Sequence, residues 1–144
     1  MNPDTPLPSF RPLHMGVAVR DLNAALAFYV DELGFKLLHG PIDDPIQQVT
    51  VCFIGAADGG EIELISPLGG QSPVARYLAQ GIGAYHVCYE VSNIEHTLHR
   101  MRKSECIIVS EPVPATAFNG RRIAWFYTPT KHLIEILEAG EETC

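Results

Sequence analysis

Two histidines and two glutamates recur at a single spacing in this chain. His14 and Glu63 stand as far apart as His86 and Glu135, 49 residues in each case (14 to 63, 86 to 135). All four lie in runs rich in aliphatic residues: LHMGVAV, EIELIS, YHVCYEV and HLIEILE. Alternate residues of a strand share a face. Glu135 therefore shares one face with Leu133 and Leu137, and Ile134 and Ile136 occupy the other. An ionised glutamate in such surroundings is costly unless it is paired or bound to a metal. His14 shares its face with Gly16 and Ala18, small neighbours that leave room for a cavity. Taken singly, each residue has an ordinary reading: a glutamate facing solvent, a histidine at a strand start. Recurrence of the same two types at the same separation points instead to convergence. Two imidazoles and two carboxylates form a borderline-hard donor set suited to one divalent ion, Zn, Ni, Co, Mn or Fe(II), with one or two positions open to substrate or water.

The elements that must carry these residues are also written twice. An offset of 72 residues places His14 on His86, HMGVAV on HVCYEV, VCFI on IAWF and IELI on IEIL, without a gap. Internal repetition constrains the fold before any local propensity does. Each half reads as strand, helix and three strands, an α+β pattern. Asp21 is placed to cap a helix whose apolar face is Leu22, Ala25, Leu26, Tyr29, Val30 and Leu33, with Gly34 to end it. Asn93 caps its counterpart, whose stripe of Ile94, Leu98 and Met101 is narrower. FKLLHG, QVTVCFIG and EIELIS follow in the first half, and CIIVSE, RRIAWFY and HLIEILE in the second. Gly40-Pro41, Asp58-Gly59-Gly60, Asn119-Gly120 and Pro129 are the expected turns. The expected organisation is a first module over 12–68, a helical connector over 69–83 starting at Ser72-Pro73, and a second module over 84–138, with tails at 1–11 and 139–144.

The totals narrow the function. The chain has 144 residues, 47% hydrophobic and 19% charged, as expected of one globular domain or two fused halves. No apolar run approaches the roughly 20 residues of a membrane span, and the start lacks the basic and apolar regions of a signal peptide. A net charge of −7 argues against nucleic acid or an anionic membrane as partner. Cys52, Cys88, Cys106 and Cys144 form no C-x-x-C pair, so free thiols in a reducing cytoplasm are expected rather than a thiolate metal site. His96 and His99 share a polar helix face, and His39 and His132 flank turns.

With these residues in place, the sequence resembles the vicinal oxygen chelate superfamily (glyoxalase, bleomycin resistance and extradiol dioxygenase), and within it the methylmalonyl-CoA epimerase branch. The resemblance rests on LHMGVAVRDLNAALAFYVDELGF, EIELISPLGGQSPVARYL, YHVCYEV, GRRIAWFYTP and HLIEILE, and covers roughly residues 12–138. It implies two tandem βαβββ modules forming a cupped eight-stranded mixed sheet around a metal held by His14, Glu63, His86 and Glu135. It also implies a small-molecule substrate, an acyl-CoA thioester or a 2-oxo or hydroxy acid derivative, and a homodimer. Epimerases of the branch carry a catalytic Glu in a stretch like E-Q-G-V. Here that stretch is Ile46-Gln47-Gln48-Val49, and an isoleucine cannot move a proton.

The leading expectation is metal-assisted abstraction of a proton next to a carbonyl, leading to epimerisation or to a glyoxalase-type isomerisation. Glu135, Glu63 and Asp44 are the candidate bases, with Asp43 beside Asp44 in a Pro-flanked loop. Arg121 and Arg122 are candidates to hold an anionic substrate group, with Gln47 and Tyr85 as further contacts. Trp125, Phe126 and Tyr127 read most simply as core. Two other readings stand beside this one. An Fe(II) dioxygenase normally uses two His and one carboxylate, which a fourth ligand disfavours. A non-catalytic binding protein is the other, and a full ligand set argues against it.

Overall fold

The computed structural model describes residues 8–140. In chain order the elements are β1 (Phe10–Ala18), α1 (Leu22–Asp31), β2 (Lys36–Asp44), β3 (Val49–Gly55), β4 (Glu61–Pro67), α2 (Val74–Ala79), β5 (Ala84–Val91), α3 (Ile94–Lys103), β6 (Ile107–Pro114), β7 (Arg122–Tyr127) and β8 (Leu133–Glu138). The eight strands form one mixed sheet in the order β2-β3-β4-β1-β5-β8-β7-β6. Each module contributes four adjacent strands. β1 runs parallel to β4 and β5 parallel to β8, and the modules join through the antiparallel pair β1–β5. The two first strands of the repeat therefore lie side by side at the centre. No helix among the described residues is long and apolar enough to cross a membrane.

The caps behave as the sequence predicts. The Asp21 carboxylate accepts the Ala24 N–H, and the Asn93 side chain accepts the His96 N–H. Gly34 and Gly81 take the left-handed conformations that let the chain leave α1 and α2. Strand alternation then sorts the side chains onto two faces. On one face α1 covers Cys52, Ile54 and Leu64, and α3 covers Ala124, Phe126 and Ile136. The other face presents Val51, Phe53 and Ile65 from the first module, and Cys88, Ile123 and Leu137 from the second. Phe118, from the 3-10 turn Thr116–Phe118, packs against both of these groups and so ties the modules together over that face.

Three expectations are corrected. Gly40-Pro41 is not a turn: β2 runs through it and absorbs it as a register shift between His39 and Ile42. Asp43 and Asp44 are consequently not in a loop but end that strand, paired with Thr50 and Val49. β1 begins at Phe10, inside the segment read as a tail, because Phe10 pairs with Val91 and sets its ring against Tyr89 at 5.5 Å. Cys144 lies outside the described residues.

Candidate metal centre

The four strands at the middle of the sheet each deliver one of the recurring polar residues. Along β1, His14 is opposite Cys88 and Gly16 is opposite His86. Gly16 also pairs with Glu63 on β4, and Cys88 pairs with Glu135 on β8. Two adjacent cross-strand rows, Glu63–Gly16–His86 and His14–Cys88–Glu135, thus bring all four side chains together. Gly16 is required for this. A Cβ there would lie 1.9 Å from Cε1 of His86, so the imidazole occupies the space that the missing side chain leaves.

The donor atoms converge. His14 Nε2 lies 3.3 Å from Glu63 Oε1 and 3.5 Å from Glu135 Oε1, and His86 Nε2 lies 3.6 and 3.3 Å from the same oxygens. All four atoms fall within 4.8 Å of one another, and all four residues are buried, none more than 6% exposed. Ligands held about 2.1 Å from a single ion sit about 3.0–3.4 Å apart along octahedral or tetrahedral edges. The His–Glu separations match that spacing. The contacts are poorly aligned as hydrogen bonds: Nε2 of both histidines and Oε1 of Glu135 have no hydrogen-bond partner among the described residues. Buried polar atoms without partners are rare, and here they share one focus. The residues fit a divalent cation.

The electrostatics agree. Burial disfavours a charged His14, but the nearby Glu135 and Glu63 carboxylates outweigh it and raise its pKa to about 10. Burial likewise opposes ionisation of Glu135, and His14 and His86 overcome it, lowering that pKa to about 2. Glu135 therefore stays ionised in a buried pocket because the two imidazoles sit beside it. Burial pushes the Cys88 thiol well above its ordinary pKa, so the sulfur beside Glu135 is a protonated neighbour rather than a thiolate ligand.

A cavity of about 240 Å³ opens beside the cluster, lined by Glu63 and Glu135 among others. Of the other residues singled out in the sequence, Asp44, Gln47 and Tyr85 line it. Asp44 is 4% exposed, and its Oδ1 accepts the Ile46 and Gln47 N–H groups. Ile46 is 56% exposed and is not part of the lining. Asp43 is also outside it, accepting the Thr50 hydroxyl. The arginine expectation changes. Arg121 binds Glu90 and the Glu138 carbonyl, and Arg122 binds Glu95 and Glu138; neither lines the cavity. Carboxylates outside the cavity hold them instead: Glu90 on β5 for Arg121, and Glu138 on β8 with Glu95 on α3 for Arg122. The cation on the cavity wall is Arg76 of α2, set over the Tyr77 ring at 5.5 Å. The Tyr77 hydroxyl is 2.9 Å from that of Tyr127. Nothing in the sequence marked Arg76, an exposed residue on a two-turn helix. Trp125 and Tyr127, read as core, line the cavity as well, and only Phe126 is core.

Residues 13–125 match the family described as the Glyoxalase/Bleomycin resistance protein/Dioxygenase superfamily. The chain belongs to this superfamily. Among similar proteins is the ethylmalonyl-CoA/methylmalonyl-CoA epimerase of Cereibacter sphaeroides, 34% identical over 79% of this chain and 85% of that protein. The mitochondrial methylmalonyl-CoA epimerase of Bos taurus is 37% identical over 68% of this chain, which spans little more than half of it (56%). A crystal structure of methylmalonyl-CoA epimerase from Mycobacterium tuberculosis superposes with a TM-score of 0.79 at 28% identity, covering 91% of this chain and 89% of that one. His14, Glu63 and His86 lie inside the matched segment. Glu135 lies beyond it and joins the site through the parallel pairing of β5 with β8.

Proposed function

We propose that this protein is a metal-dependent epimerase of branched acyl-CoA thioesters, removing and returning the proton α to the thioester carbonyl. His14, Glu63, His86 and Glu135 would hold the ion. A divalent cation there would act as a Lewis acid for the negative charge that develops on the carbonyl oxygen. The protein's own contribution is the placement of carboxylates. Asp44, at the end of β2, is a buried carboxylate on the cavity wall, oriented by two backbone N–H groups so that one oxygen is fixed. It takes the role that Ile46 cannot. Glu135, from the other module, supplies the second proton-transfer group. Epimerisation needs groups on two sides of one carbon, and carboxylates from both modules line one cavity. That is the observation that carries the proposal. The named activities of the relatives from Cereibacter sphaeroides and Bos taurus support the substrate class. The cavity walls are predominantly aliphatic and aromatic, surroundings that disfavour water beside the reacting carbon.

The test is solvent exchange. Metal-loaded protein in D2O is expected to wash deuterium into the α-position of methylmalonyl-CoA and to invert its configuration. Failure to exchange any branched acyl-CoA thioester would overturn the proposal, whereas migration of the proton to a neighbouring carbon would move the protein to the glyoxalase-type isomerases.

A further inference from the structure

Two buried hydrogen-bond donors in the cavity wall have no use in the scheme above. Ser110 Oγ and Trp125 Nε1 are both shielded from solvent, and neither has a hydrogen-bond partner among the described residues. Both residues line the cavity. They are also neighbours: Ser110 pairs with Trp125 across β6–β7, and Trp125 pairs with Glu135 across β7–β8. Three adjacent strands thus carry a hydroxyl, an indole N–H and a metal-site carboxylate in one row. The indole meets the His86 ring edge-on at 4.7 Å, which brings it to the rim of the cluster. Tyr77 and Tyr127 satisfy each other's hydroxyls, so the same wall does not lack partners in general.

The chemistry of the two donors limits what they can receive. An indole N–H only donates, so the group it meets must accept. The first module has no counterpart: the position matching Trp125 by the 72-residue offset is Phe53, paired with His39, whose ring stacks on it. The two unpartnered donors therefore lie on the second-module side of the ion site.

We infer that Ser110 and Trp125 form a two-donor subsite that selects acyl thioesters carrying a carboxylate beside the thioester carbonyl. This rests on the thioester reading above and adds the group that distinguishes one thioester from another. A ligand with only the carbonyl leaves two buried donors unpaired. A carboxylate oxygen satisfies them. Polar groups built to meet a substrate acceptor discriminate strongly against analogues that lack it.

The experiment compares binding of malonyl-CoA and propionyl-CoA to the metal-loaded protein by calorimetry, for the wild type and for Ser110→Ala, Ser110→Thr and Trp125→Phe. The wild type is expected to favour malonyl-CoA by at least about ten-fold. Ser110→Ala and Trp125→Phe each weaken malonyl-CoA about ten-fold, as expected for a lost hydrogen bond to a charged group. Propionyl-CoA is unaffected, and Ser110→Thr, which keeps the hydroxyl, restores binding. Equal losses for both ligands, no loss for either, or a wild type that does not bind malonyl-CoA would each overturn the inference. Should Trp125→Phe lose metal through its contact with His86, Ser110→Ala decides alone. Selective binding without deuterium exchange would sink the epimerase proposal and leave the subsite standing. Exchange without carboxylate selectivity would do the reverse.

Discussion

The two modules agree at the four convergent donors and differ in the residues around them. His14 and Glu63 match His86 and Glu135 in residue type, strand and separation. Around them the offset partners diverge: Gly16 against Cys88, Phe53 against Trp125, Leu38 against Ser110, Asp44 against Thr116. A coordination site needs only donor atoms around a point, and a twofold arrangement supplies them. A reaction at one carbon needs different groups on its different sides. Divergence outside the ligand set is how a duplicated sheet acquires a direction.

Removing a ligand from either module tests the shared part of this comparison and gives the largest effect. Glu63→Ala and Glu135→Ala are both expected to lower metal affinity well beyond the roughly 10- to 100-fold typical of losing an outer partner. Metal analysis of protein purified without a chelating tag reads it. A Glu63 variant that kept its metal would break the equivalence of the halves. Asp44→Asn tests the divergent part: turnover falls by about 10²- to 10⁴-fold with metal content unchanged, whereas Thr116→Val, at the offset position, leaves turnover close to wild type. Ile46→Glu is expected not to rescue Asp44→Asn, because residue 46 faces outward.

Gly16 and Cys88 sharpen the comparison further. Gly16→Ala drives a methyl into the His86 ring, and metal affinity is expected to fall by about 10- to 100-fold. Cys88→Ala leaves the ligands in place and lowers unfolding stability by about 1 kcal/mol through a small cavity, which chemical denaturation would read. Smaller still is the contrast between arginines. Arg76→Ala is expected to weaken an anionic thioester by about three-fold, as for a solvent-exposed charge pair, and Arg121→Ala to leave its binding unchanged.

The smallest effect is a pH dependence. The Arg122 guanidinium beside Glu138 holds that carboxylate below its ordinary value of 4.5. A depressed folded pKa contributes stability that is present above the unfolded value and is lost as pH falls through the folded one. Arg122→Ala is therefore expected to lower the melting temperature by about a degree or two at neutral pH. The gap should close as the solution is acidified below 4.5. A gap that persisted in acid would assign Arg122 a packing role instead.

The sequence by itself determined the duplication, the helix caps, the strand alternation and the identity of the four convergent residues. These are local or periodic signals: an N-cap binds within its own turn, and a buried glutamate stands out in an aliphatic strand. Tertiary structure decided which of the other candidates share the cavity and added residues that the sequence had not marked. Asp44 reached it because β2 continues through Gly40-Pro41, and Arg121 and Arg122 missed it because β5 and β8 offered them carboxylates. Arg76, Ser110 and Trp125 entered it from a short helix and from β6 and β7. A cavity wall is assembled from residues distant in sequence, and no periodicity within one element records what faces it from another.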